Sequence, residues 1–138
     1  MKSYIILALI FLVTSIRAQD SLHYMSGPHG GLLKTVEEYN IETINTYGCI
    51  TAYVFDKSFA IIPNKFISGS ILFFYNNGAT LNNYLIPSGT DGFTADVPSI
   101  NYYYYTIHFK VNGNVISARV DNYLGIAEKE QETNIDNK

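Results

Sequence analysis

The sequence predicts an all-β fold, an antiparallel β-sandwich of the Ig-like kind with a small β-barrel as the alternative. Three observations carry that expectation. Between residues 32 and 120 apolar and polar side chains alternate with the period of a half-buried strand. Turn signals punctuate the chain roughly every 8 to 12 residues, the spacing of short strands in a sandwich. They include Tyr47-Gly48, Asp56-Lys57-Ser58, Asn76-Asn77-Gly78, Pro87-Ser88-Gly89 and Asn112-Gly113. Nothing in this region carries the 3.6-residue apolar stripe of an amphipathic helix.

Lys2 precedes an apolar run over 4–16, and Arg17-Ala18-Gln19 follows it. This is the layout of a secretory signal peptide, and the run falls short of the roughly 20 residues that a membrane-spanning helix needs. We therefore assign 1–18 as a signal peptide and 19–27 as a linker. The β-sandwich domain is 28–122, and 123–138 is a disordered acidic tail. The expected location is periplasmic or secreted. No cysteine lies at the cleavage region, so no stable membrane anchor is expected.

Within the domain the first strand is read over 32–36, turning at Glu37-Glu38. The second, over 39–46, places Asn40 and Glu42 on one face. Strands over 49–55 and 66–75 follow, with Pro63-Asn64-Lys65 breaking the chain between them. A strand over 81–86 ends before Pro87, and one over 92–97 ends before Pro98. The longest, over 102–111, passes through Asn112-Gly113 to a last strand over 115–120; Asn-Gly suits the positive φ angles of a tight hairpin.

Composition narrows function. With 138 residues, 47% hydrophobic and 15% charged, the chain suits one domain. Without the signal, seven basic residues face twelve acidic ones, which argues against a nucleic-acid partner. The single cysteine, Cys49, excludes an internal disulfide and is expected to pack as a small buried hydrophobe. No nucleophile elbow, His-Glu-x-x-His or phosphate loop is present, so the expected role is binding rather than catalysis.

Two constellations stand out. His23, Met25 and His29 fall within seven residues, and Glu42 joins them if the first hairpin brings it beside His29. Imidazole with thioether suits copper, and imidazole with carboxylate suits zinc or Cu(II). The second is Tyr102-Tyr103-Tyr104-Tyr105. Strict alternation puts Tyr103, Tyr105, Ile107, Phe109 and Val111 toward the core. It leaves Tyr102, Tyr104 and His108 outward, as a patch for a protein or glycan.

Pro28-His29-Gly30-Gly31, Tyr39-Asn40-Ile41-Glu42, Tyr53-Val54-Phe55-Asp56, Ile67-Ser68-Gly69, Pro87-Ser88-Gly89-Thr90-Asp91-Gly92-Phe93 and Phe109-Lys110-Val111-Asn112-Gly113 resemble a family of small exported bacterial β-sandwich domains. That family is associated with heavy-metal handling, copper in particular, and with efflux. The resemblance covers about 28–120. It implies a sandwich fold and a metal site at His29 and Glu42, with a metal ion or a periplasmic efflux component as partner. The family's second histidine falls on Asn40 here.

Overall fold

The computed structural model describes residues 25–97 and 101–122. His23 and the segments expected to be signal peptide, acidic tail and most of the linker lie outside the described residues. Among the described residues nine strands form two antiparallel sheets packed face to face, an open sandwich rather than a closed barrel. They are β1 Leu32–Val36, β2 Tyr39–Thr46, β3 Cys49–Asp56, β4 Ile67–Tyr75, β5 Thr80–Tyr84, β6 Ile86–Ser88, β7 Gly92–Asp96, β8 Tyr102–Val111 and β9 Asn114–Asp121. A 3-10 turn, Asn64–Phe66, leads into β4.

The first sheet has the order β1-β2-β3-β7-β6 and the second β5-β4-β8-β9. Setting β1 aside, the strands from β2 on fall in the immunoglobulin arrangement. The first sheet reproduces A-B-E-D, and the second is C-F-G extended by one strand beside C. β1 is an addition at the free edge of the A-like strand, joined to β2 by the turn at Glu37-Glu38. Met25 and Ser26 cover its other edge: Ser26 bridges Leu32, and the Leu33 amide donates to the Met25 carbonyl at 2.9 Å.

Alternation builds the core. Ile41, Ile50, Ala52, Val54 and Phe93 of the first sheet face Ile71, Phe73, Tyr105, Ile107, Phe109 and Ile116 of the second. The Asn112-Gly113 turn has φ of 51° and 86° at its two residues, the double positive φ of a tight hairpin, so Val111 pairs directly with Asn114.

Two expectations are corrected. The strand read over 81–86 is two strands: β5 pairs with β4 in the second sheet, whereas β6 pairs with β7 in the first. Leu85 sits at the crossing, 6% exposed among exposed neighbours, with its amide bound to the Gly69 carbonyl. One inward side chain thus pivots the chain between sheets. The tyrosine run also departs from strict alternation. The β4–β8 register shifts so that Phe74 faces Tyr104 while Tyr75 faces Tyr102, leaving Tyr103 as an extra residue. Tyr102 and Tyr105 therefore both point into the core, 2% and 1% exposed, and Tyr103 points out.

Candidate functional site

Glu42 lies on the outer face of the first sheet, opposite Leu33 on one side and Tyr53 on the other. An acidic residue there would ordinarily be solvated, yet Glu42 is completely buried. The turn Gly27–Gly31 folds over it, closed by Gly27 N–H to Gly31 O at 2.9 Å and Gly30 N–H to Gly27 O at 3.0 Å. Glu42 Oε1 accepts the backbone N–H groups of His29 and Gly31, both at 2.8 Å. Its Oε2 lies 2.8 Å from His29 Nδ1. Such charge-assisted bonds are the strong class, and here they replace the water that the carboxylate has lost.

The sequence makes this closeness possible through glycine. A Cβ on Gly27 would collide with the Glu42 carboxylate, and one on Gly31 would lie 2.6 Å from the Thr43 carbonyl oxygen. The turn can lie flat on the sheet only because both positions lack side chains.

The imidazole is fixed from two directions. A carboxylate only accepts, so Nδ1 carries the proton in this contact and Nε2 is the free nitrogen. The ring also stacks on Tyr53, centroids 3.9 Å apart and planes 15° from parallel, with Phe55 at 6.0 Å. The His29 side chain keeps 39% exposure. A turn on Asp56 shapes the neighbouring surface. Asp56 Oδ1 accepts from Ser58 N at 2.8 Å, Ser58 Oγ at 2.7 Å and Ala60 N at 3.0 Å. The Ser58 side-chain bond, followed by the Ala60 amide, holds the Asp56 carboxyl below its ordinary range. Phe59, held at a φ of 63°, then rests against Phe55.

The structure thus brings His29 and Glu42 together, with a changed role for Glu42. With no exposure and both oxygens engaged, it orients the imidazole and offers no oxygen to an ion. Met25 stands at the stem of the same hairpin, 60% exposed. Asn40 is 4% exposed and internally bonded, accepting from Thr35 Oγ1 at 2.7 Å and donating to the Asp56 carbonyl at 3.0 Å. Among the described residues no three His, Cys, Asp or Glu side chains group as metal ligands. Cys49 is half-buried at the start of β3, not enclosed in the core as expected.

His108 cannot join His29. It faces outward from the second sheet, on the opposite side of the sandwich, with Nδ1 2.7 Å from Ser117 Oγ. The tyrosine patch loses Tyr102 to the interior, where its hydroxyl accepts from Asn45 Nδ2 at 2.7 Å and ties the sheets together. Burial pushes the Tyr102 phenol upward. Tyr104 remains on the outer face, stacked on Phe74 at 4.4 Å under the Arg119 guanidinium at 3.7 Å.

Tyr53 is the site residue that sequence reasoning missed. Its signal was present, because a two-residue turn at Tyr47-Gly48 pairs Thr46 with Cys49 and, counting back, Glu42 with Tyr53. What the fold and site define is an Ig-like sandwich with an added N-terminal strand and a rigidly held histidine turn. Comparison with known proteins adds no relative: no family model, curated protein or solved structure matches the chain. Among the described residues no helix is long and apolar enough to cross a membrane.

Proposed function

We propose that the chain is an exported, non-enzymatic binding protein that presents His29 as its contact group, with a copper or zinc ion as cargo in periplasmic heavy-metal handling. One observation carries this reading: a buried carboxylate holds the histidine Nδ1 and leaves Nε2 free. That is the arrangement found behind metal-ligating histidines, where the second partner sets the tautomer and raises the donor strength of the free nitrogen. The donor set fits capture by a single protein ligand, Nε2 of His29, completed by water or by a donor from an efflux partner. Glu42 serves as the orienting carboxylate, and Met25 offers a thioether on the same hairpin.

The test is calorimetric titration of residues 19–138 with Cu(II), Zn(II) and reductant-stabilised Cu(I), repeated on His29→Ala. Saturable binding that the substitution abolishes supports the reading; binding indifferent to it, or none, removes it. A second reading rests on the Phe74–Tyr104–Arg119 stack, which offers a protein or glycan an aromatic and cationic surface on the other sheet. Loss of partner capture in Tyr104→Ala, with His29→Ala unchanged, would favour it.

A further inference from the structure

Asn64 shapes one part of the surface by turning inward. It is 8% exposed, its Nδ2 donates to the Gly89 and Gly92 carbonyls at 3.0 and 2.9 Å, and its backbone N–H donates to the Thr90 carbonyl at 3.0 Å. With Asn64 pinned, the other two residues of the 3-10 turn face solvent: Lys65 is exposed, and Phe66 is 64% exposed. The Lys65 ammonium stands 4.8 Å from the centre of the Phe66 ring.

A cleft of about 580 Å³ runs from this turn to the β8–β9 hairpin, well inside the range of small-ligand sites, about 300 to 1,000 Å³. Lys65 and Phe66 line it from the turn, and the exposed Lys110 and Gly113 line it from the hairpin. Ile62 and Ile67 add apolar surface, and no Asp or Glu lines it. Elsewhere Lys57 pairs with Glu38 and Arg119 with Asp121. Among the described residues Lys65 and Lys110 pair with no carboxylate. In a chain of net charge −3, two unpaired cations on one cleft beside an exposed ring make a local positive site.

We infer that this cleft binds a small organic anion with a flat apolar body, its carboxylate drawn to Lys65 and Lys110 and its body resting on the exposed part of Phe66. A bare inorganic anion would leave the aromatic and aliphatic surface uncovered. A cation would meet two ammonium groups and no carboxylate, and a long polyanion is repelled by the negative charge of the rest of the chain. The site shares no residue with the His29 turn or with the Phe74–Tyr104–Arg119 stack.

Three probes divide charge from body: naphthalene-2-carboxylate, its neutral carboxamide, and inorganic phosphate. Each is titrated at low salt into the isotope-labelled protein while the amide signals of Phe66, Ser68 and Gly113 are followed. The carboxylate is expected to saturate and to bind at least about fivefold more tightly than the carboxamide, because contacts with exposed ammonium groups are individually weak but two act together. That advantage should shrink in about 1 M salt, where screening acts within a few ångströms. Phosphate is expected to bind more weakly than the carboxylate. Lys65→Gln and Lys110→Gln should each weaken the carboxylate, whereas Lys34→Gln, the same charge change on the first sheet, should leave it unaltered. Phe66→Ala should weaken carboxylate and carboxamide alike, and the exposure of all three cleft side chains lets these variants fold. Absence of saturable carboxylate shifts, carboxamide or phosphate bound as tightly, or carboxylate binding unchanged in Lys65→Gln and Lys110→Gln would each overturn the inference.

Discussion

Glu42 and the Tyr105 hydroxyl are both sealed from water, and the fold treats them in opposite ways. Glu42, a full charge, receives three donors from one short turn. Tyr105, a neutral hydroxyl, receives none. An unpaired buried charge costs several kcal/mol, about 3 to 5 when one partner is removed, whereas an unmade hydroxyl bond costs about 1 to 3. The comparison separates a group whose bonds hold the structure together from one whose bond is left open. The first position holds the turn on the sheet, and the second leaves a buried hydroxyl without a fully formed bond.

The largest expected effect comes from emptying the rigid position. Glu42→Ala removes the charge and strands two backbone N–H groups and the His29 Nδ1; at about 1 to 3 kcal/mol per unmet buried donor, it should cost about 3 kcal/mol, read as a lower urea midpoint. A loss below about 1 kcal/mol would break the comparison, since the turn would then be holding itself. Glu42→Gln divides charge from geometry. Its amide oxygen can still accept both backbone N–H groups, but its NH₂ donates toward Nδ1 and moves the ring proton to Nε2. The expected cost is about 1 to 2 kcal/mol, together with a switch of imidazole tautomer visible in ¹⁵N spectra. Because that switch occupies Nε2, it should also weaken any metal binding at His29.

Next comes the approach of the turn to the sheet. Gly27→Ala and Gly31→Ala both force atoms into occupied space and should cost about 2 kcal/mol each, the range of overpacking. Gly30→Ala meets nothing within 4 Å, although its φ of 83° disfavours a side chain. It should cost about 1 kcal/mol, from backbone conformation alone. Thermal denaturation of the three variants would show whether closeness to Glu42, rather than glycine as such, is what the turn requires.

The strands were the most legible part of the molecule, because each is bounded by a turn whose residues have a local reason to turn. β1, β2 and β8 begin and end where alternation and turn chemistry place them. The exceptions have local causes invisible to periodicity. A bulge opposite Tyr75 turns Tyr102 inward, and Leu85 divides one apparent strand between two sheets. For the site, proximity of His29 to Glu42 was readable from the first hairpin. The exchange of roles was not, because it depends on the Gly27–Gly31 turn folding down over the sheet and removing the carboxylate from solvent. The burial of the Tyr105 hydroxyl was beyond reach for another reason: its surroundings come from strands far apart in sequence, and a missing hydrogen bond leaves no sequence pattern.

The smallest effects should come from the two buried tyrosine hydroxyls, and they sharpen the comparison most. Tyr102→Phe removes the acceptor of Asn45 Nδ2 and should cost about 1 kcal/mol, the net worth of an ordinary hydrogen bond. Tyr105→Phe removes a hydroxyl with nothing to lose and should leave stability at neutral pH unchanged within about 0.5 kcal/mol, or slightly raised. The two part further in alkali. Burial raises the Tyr105 phenol in the folded state, so the folded chain retains a proton that the unfolded chain releases near its ordinary value of about 10. A raised folded value gives a contribution present in full below that unfolded value and lost as pH climbs above it. The wild-type urea midpoint should therefore fall more steeply between about pH 10 and 11 than that of Tyr105→Phe, the other tyrosines being common to both. Parallel curves would mean that the hydroxyl finds an acceptor or water in solution, and the contrast with Glu42 would then be one of degree.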